Sequence, residues 1–165
     1  MKTTVSDCHL DGTPILIDQL CLLDSTTIEK IVGQQQPGQH LECSSHYYWS
    51  FQCLALEKLR CSNDFGEEPD GDWKQAYLRH AQSDEIAVKN GSPEYAGRQE
   101  WNQHWCQDTR IYPLYVVFEE GQYRLWDGHH RLASAFWHEI ERVYVFLGVP
   151  KSTLNENTSF NLSAV

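Results

Sequence analysis

The stretch from Ile111 to Pro150 constrains the fold most, because its residue pattern changes several times in quick succession. Tyr115-Val-Val-Phe118 is a β-branched and aromatic run, Glu119-Glu-Gly-Gln122 is a turn by composition, and Tyr123-Arg-Leu-Trp126 is a second such run. Two strands joined by so short a Gly-containing link predict a hairpin. Asp127-Gly128 then breaks the strand, and from Arg131 to about Ile140 the residues Leu132, Ala135, Phe136 and Ile140 share one side of a helix. Val143-Tyr-Val-Phe-Leu147 predicts a return strand, closed by Gly148 and Pro150. The order strand, strand, helix, strand makes the C-terminal third α/β.

Upstream the signals are mostly helical. Pro14-Ile-Leu-Ile17 fits a short strand or an extended lead-in. A short helix is predicted after Asp24, with Thr26 and Glu29 at capping-box spacing and Gly33 as its stop. Gln34 to Gln39 has the composition of a loop. A second helix is predicted over Ser45–Arg60, where Trp49, Cys53, Leu56 and Arg60 fall at helical spacing and Leu54 and Leu59 widen the apolar face. Asn63–Asp72 is acidic, rich in Gly and Pro, and lacks the spacing of a calcium loop; a solvated connection is expected. Two more helices are predicted: Trp73–Gln82, and one opened by Ser92-Pro93-Glu94 that runs through Trp101 to about Cys106.

With 165 residues, 41% of them hydrophobic, the chain suffices for one domain with a sizeable core. No apolar run approaches the ~20 residues of a membrane span, and the first residues lack the apolar stretch of a secretory leader. A cytoplasmic location is therefore expected. Six cysteines occur without a CxxC spacing, so buried thiols are expected rather than a zinc site. The formal net charge of −10 works against a protein that holds nucleic acid through phosphate contacts. Small anions are a different matter, since one oriented turn can hold a phosphate on an acidic protein.

Asp127-Gly128-His129-His130-Arg131 is such a turn. Gly128 permits a sharp or left-handed bend and lets a ligand come close. The residues after it open a helix, whose first N–H groups have no internal partner and carry the positive end of the dipole. An anion placed there is expected to meet those amides, His130 and the Arg131 guanidinium together. Asp127 is expected to face the same crevice, to orient a hydroxyl, accept its proton or help hold Mg²⁺. The bland alternative is an ordinary strand-to-helix turn with Asp127 as cap and the histidines on the surface.

Tyr112-Pro-Leu-Tyr-Val-Val117, Tyr123-Arg-Leu-Trp-Asp-Gly-His-His-Arg-Leu-Ala-Ser-Ala135 and Val143-Tyr-Val145 together resemble the core of the ParB/sulfiredoxin superfamily. The resemblance covers roughly a quarter of the chain. It implies an α+β fold with a small mixed sheet whose core is 111–150; the residue patterns themselves add a mostly helical region over 1–108, in a single domain of 1–165. It also implies nucleotide binding, ATP or another nucleotide, with phosphates held by Gly128, His129, His130 and Arg131. Sulfiredoxins carry Cys where this chain has His129, so sulfinic-acid reduction is not expected. Partition proteins usually show Gly-Glu-Arg-Arg where this chain has Gly128-His-His-Arg131, and no DNA-binding helix-turn-helix is recognised after Pro150. The free-serine kinase branch looks most similar; carried over, Asp127 activates the acceptor hydroxyl and His130 and Arg131 bind phosphates. That branch also uses an upstream Glu, for which Glu42 and Glu94 are guesses. The resemblance thus implies a phosphotransferase or nucleotide hydrolase acting on a small hydroxyl acceptor. The alternatives are a non-catalytic nucleotide-sensing module with a protein partner, and a ParB-like nuclease.

The remaining polar residues offer less. His40, His46 and His80 are scattered and read as structural or exposed. His104 and Cys106 stand two apart on a predicted helix and so face different ways. His138 near a helix end suits the negative pole of the dipole. Ser25, Ser44 and Ser134 lack a nucleophile-elbow setting, and neither a Walker loop nor a dinucleotide fingerprint is present.

Overall fold

The computed structural model describes residues 4–10, 13–35, 44–60, 73–91, 110–111 and 113–155. In chain order these form β1 (Thr4–Leu10), β2 (Thr13–Leu16), α1 (Ile17–Leu20), α2 (Ser25–Gln35), β3 (Tyr47–Ala55), β4 (Leu59–Arg60), α3 (Trp73–Lys89), β5 (Arg110–Ile111), β6 (Leu114–Glu119), β7 (Gln122–Asp127), α4 (His129–Trp137) and β8 (Arg142–Pro150). The class is α+β with a mixed sheet, as expected. No described helix is long and apolar enough to cross a membrane.

The main sheet has five strands in the order β3-β8-β6-β7-β4. β8 lies antiparallel to β3 and parallel to β6, β6 and β7 form the expected hairpin, and β4 adds in parallel to β7. The hairpin turn is tighter than the composition suggested: Glu119 and Gln122 pair, leaving Glu120 and Gly121 as its two central residues. Both have positive φ (52° and 75°), which matches the twist of a two-residue hairpin. A smaller sheet, β2-β1-β5, is not strand-paired with the main one.

Side chains alternate across β6 and β8, and both faces of the sheet are covered. Leu114, Val116, Val143, Val145 and Leu147 point to one face, where they pack with Leu132, Ala135 and Phe136 of α4 and Tyr77 and Ala81 of α3. Tyr115, Val117 and Phe146 point to the other, where they pack with Ile28, Ile31 and Val32 of α2 and with Val5, Cys8 and Ile15 of the small sheet. Gly148 sits opposite Trp49, and a Cβ there would stand 3.1 Å from the fully buried indole, so the absence of a side chain leaves room for the ring.

Ser45–Arg60 is the main correction. It is not a helix but the nine-residue β3, a short 3₁₀ turn and β4. Trp49 and Phe51 go to one core and Leu54 to the other. A strand buried on both faces loses the clean alternation that marks a strand, and its apolar residues then fall by chance at helical intervals. Among the described residues before 108, the strands β1–β4 stand beside the helices α1–α3. Smaller differences have local causes. α2 is capped by Asp24, whose carboxylate accepts hydrogen bonds from the Thr27 N–H and hydroxyl, both at 2.9 Å, so Thr26 is inside the helix and not its cap. Those bonds lower the Asp24 pKa. Gly33 lies inside α2, which continues to Gln35. α3 extends past Gln82 to Lys89. Among the cysteines, Cys8 is buried as expected, while Cys21 is exposed. The segments predicted at 36–39, 63–72 and 92–106 lie outside the described residues, as do His40, Glu42, Glu94, His104 and Cys106.

α4 begins two residues earlier than expected and ends three earlier. Its end is a Schellman turn: the Ile140 N–H bonds to Ala135 O (2.9 Å) and the Glu139 N–H to Phe136 O (3.2 Å). Ile140 packs against the core, and Glu139 takes the left-handed position at φ 55°. A residue with a Cβ is disfavoured there by about 1 kcal/mol. Glu139→Gly is therefore expected to raise the stability of the fold by about 0.5–1 kcal/mol, read as a higher urea midpoint at unchanged slope.

Candidate functional site

β7 delivers the chain to Asp127, and α4 starts at His129 in a different direction. Gly128 makes that change at φ 103°, a conformation that side-chain-bearing residues rarely adopt. A Cβ here would also stand 2.6 Å from Leu114 Cδ2 and 3.1 Å from Arg131 Nη2. The position requires glycine twice over, once for its backbone and once for the space above it. Gly128 serves as the N-cap and, having no side chain, makes no cap bond of its own.

Asp127 is at the lip of this turn. Its Oδ1 accepts the Gly128 N–H at 2.7 Å, and its Oδ2 lies 3.5 Å from Arg131 Nη2. The Asp127 side chain is 39% exposed and that of Arg131 only 12%. The guanidinium points under the turn, where Nη1 donates to the Pro113 carbonyl oxygen. Burial lowers the Arg131 pKa from its ordinary value, while the negative charge of Asp127 works in the opposite sense.

His129 and His130 take two further directions. The His129 ring stacks on Tyr77 of α3, nearly parallel at 12° and with centroids 6.3 Å apart. His130 reaches farther along α3, where its Nδ1 lies 2.8 Å from His80 Nε2 and 3.2 Å from Asp84 Oδ2. His80 Nε2 and Asp84 Oδ2 are 3.7 Å apart. The five expected site residues are thus contiguous at one turn, but their side chains do not meet at a single point. Arg131 goes to Pro113 and Asp127, His129 to Tyr77, and His130 to His80 and Asp84.

Sequence reasoning missed His80 and Asp84. The signal was present: the two are four apart on one helix, on the same stripe as the buried Tyr77 and Ala81. It was hidden because the predicted helix stopped at Gln82, short of Asp84. Among the described residues, His80, Asp84 and His130 form a group of three potential metal ligands whose donor atoms lie within 4.8 Å of one another; Asp127 is not in it. His46 and His138 are exposed. A cleft of about 690 Å³ opens at the far end of α4, lined by Lys74, Phe136, Glu139 and Arg142 among others, and includes none of residues 127–131.

No family model matches the chain, and no curated protein matches it. Among solved structures, sulfiredoxin from Arabidopsis thaliana is similar at 17% identity and a TM-score of 0.35, covering 64% of this chain and 92% of that one. A likeness of that degree carries no residue role across.

The turn makes its own prediction. Gly128→Ala combines an unfavourable backbone with a close contact in the packed core, and is expected to cost about 2–4 kcal/mol. Arg131→Gln keeps most of the volume but removes charge-assisted bonds, and is expected to cost about 2 kcal/mol. Chemical denaturation measures both. A Gly128→Ala variant as stable as the parent would mean that the turn does not have this conformation.

Proposed function

We propose that the chain binds a nucleotide through its phosphates at the Asp127–Arg131 turn and acts as a phosphotransferase or nucleotide hydrolase. The observation that carries this reading is the start of α4: a left-handed glycine as its N-cap and a half-exposed carboxylate at the lip. Phosphate oxygens suit such a helix start because the peptide dipoles point their positive ends at it. Arg131 supports the anion from beneath, as a nearby positive charge rather than a fork gripping the phosphate. Asp127 orients an acceptor hydroxyl or water and takes up its proton. With an oxygen donor at the same lip, Asp127 also fits Mg²⁺ arriving with the nucleotide, whose other ligands would be phosphate oxygens and water. Such an ion neutralises phosphate charge, and positioning does most of the rest in phosphoryl transfer.

One observation favours a second reading, a nucleotide-sensing module without turnover. Asp127 already accepts a bond from Gly128 and faces Arg131, which are structural uses of the carboxylate.

The two readings separate by experiment. A panel of nucleotides with and without Mg²⁺ is screened by thermal shift; one present at 100 times its dissociation constant should stabilise the fold by about 2.7 kcal/mol. Asp127→Asn is then expected to abolish phosphoryl transfer or hydrolysis while leaving nucleotide affinity within about threefold. Binding without turnover by the parent protein selects the sensing module. If no nucleotide shifts the melting temperature, both readings fail.

A further inference from the structure

We propose that His80, Asp84 and His130 form a binding site for a divalent first-row transition ion, of which Zn²⁺ is the representative. The site joins α3 to the first turn of α4 and does not depend on nucleotide binding.

Three donor atoms define it: His80 Nε2, His130 Nδ1 and Asp84 Oδ2, with separations of 2.8, 3.2 and 3.7 Å. Metal–ligand bonds of about 2.1 Å put neighbouring donor atoms about 3.0–3.4 Å apart, whether the geometry is octahedral or tetrahedral. The observed triangle brackets that range. An ion roughly 2 Å from all three atoms fits just off their plane with little movement of any side chain.

The donor types and their surroundings point the same way. Two imidazoles and one carboxylate are a set that zinc and other first-row ions take, whereas Mg²⁺ and Ca²⁺ prefer oxygen alone. Asp84 is a buried carboxylate at 6% exposure. The imidazoles offer it hydrogen bonds, but when neutral they bring no charge, and a dication between them would. The His80 and His130 side chains remain 28% and 35% exposed, so solvent and an ion can reach the centre. Helices hold the donors: His80 and Asp84 are one turn apart on α3, and His130 belongs to the first turn of α4, which packs on α3 through Tyr77 against Phe136 and His129. Three ligands from the described residues leave coordination positions for water or an oxyanion beside the start of α4.

Without an ion, the same three groups form a hydrogen-bonded cluster that ties α3 to α4, and the experiment separates that role from metal binding. Full-length protein is stripped with a chelator, its thiols are blocked, and Zn²⁺ is titrated in competition with a chromophoric chelator, without nucleotide. One equivalent is expected to bind, and Co²⁺ is expected to give visible ligand-field bands that Zn²⁺ abolishes. Asp84→Asn, His130→Gln and the more exposed His80→Gln are each expected to weaken Zn²⁺ binding at least tenfold. Added Zn²⁺ is expected to raise the melting temperature of the parent and not of the variants. Should one variant fail to fold, the other two still decide. A parent that takes up no Zn²⁺, or folded variants that bind it as tightly, would overturn the proposal.

Discussion

Parallel pairing of β6 with β8 is the constraint from which the rest of the described architecture follows. Parallel neighbours cannot be joined by a tight turn, so the chain must leave the sheet and return to the same end. Here the crossover contains two elements, β7 and α4, and both must fit between the end of β6 and the start of β8. β7 is laid down beside β6 by the hairpin, on the side away from β8. The helix must then cross back over the face formed by Leu114, Val116 and Val145. A change of direction this abrupt between Asp127 and His129 is why a glycine with φ 103° stands there, and why the first turn of α4 is brought close to α3.

The packing of α3 on α4 follows the same logic, with a change of character along its length. Tyr77 and Ala81 meet Phe136 and Ala133 as an ordinary apolar contact. Closer to the start of α4 the contact turns polar, where Asp84 and His80 meet His130. An apolar pair at that place would have sealed the helices together with less electrostatic cost, since a buried carboxylate must be supplied with donors. The polar group therefore adds something that stability alone does not require.

How much of this the amino-acid order disclosed depended on the distance over which each interaction acts. The β6–β7 hairpin, the Asp127-Gly128 break and the helix that follows are set by neighbours in sequence, and each was legible within a residue or three. α3 was recognised but shortened, and that loss removed Asp84 from view. β3 was misread because its environment is distant: β8, nearly a hundred residues later, covers its edge, while α2 and the helical layer bury its two faces. Nothing between Tyr47 and Ala55 announces those partners. The pairing of β1 with β5 is equally invisible, as it joins Thr4 to Arg110 and Val5 to Ile111.

The site residues show a subtler limit. Consecutive residues on an α-helix point about 100° apart, so three in a row cannot all face one guest. Read as a string, His129-His130-Arg131 suggests a single basic cluster; wound into α4, it becomes three separate contacts with Tyr77, with the His80–Asp84 pair, and with Pro113 and Asp127. What stays directed at the turn is the backbone of the helix start and the Asp127 carboxylate, and what leaves it is most of the side-chain charge. The helical winding thus divides one motif between two clusters on adjoining sides of the same turn, Asp127 with Arg131 on one and His130 with His80 and Asp84 on the other. An ion held by His130 would lie within the first turn of α4, close enough for its charge to add to that of the helix end.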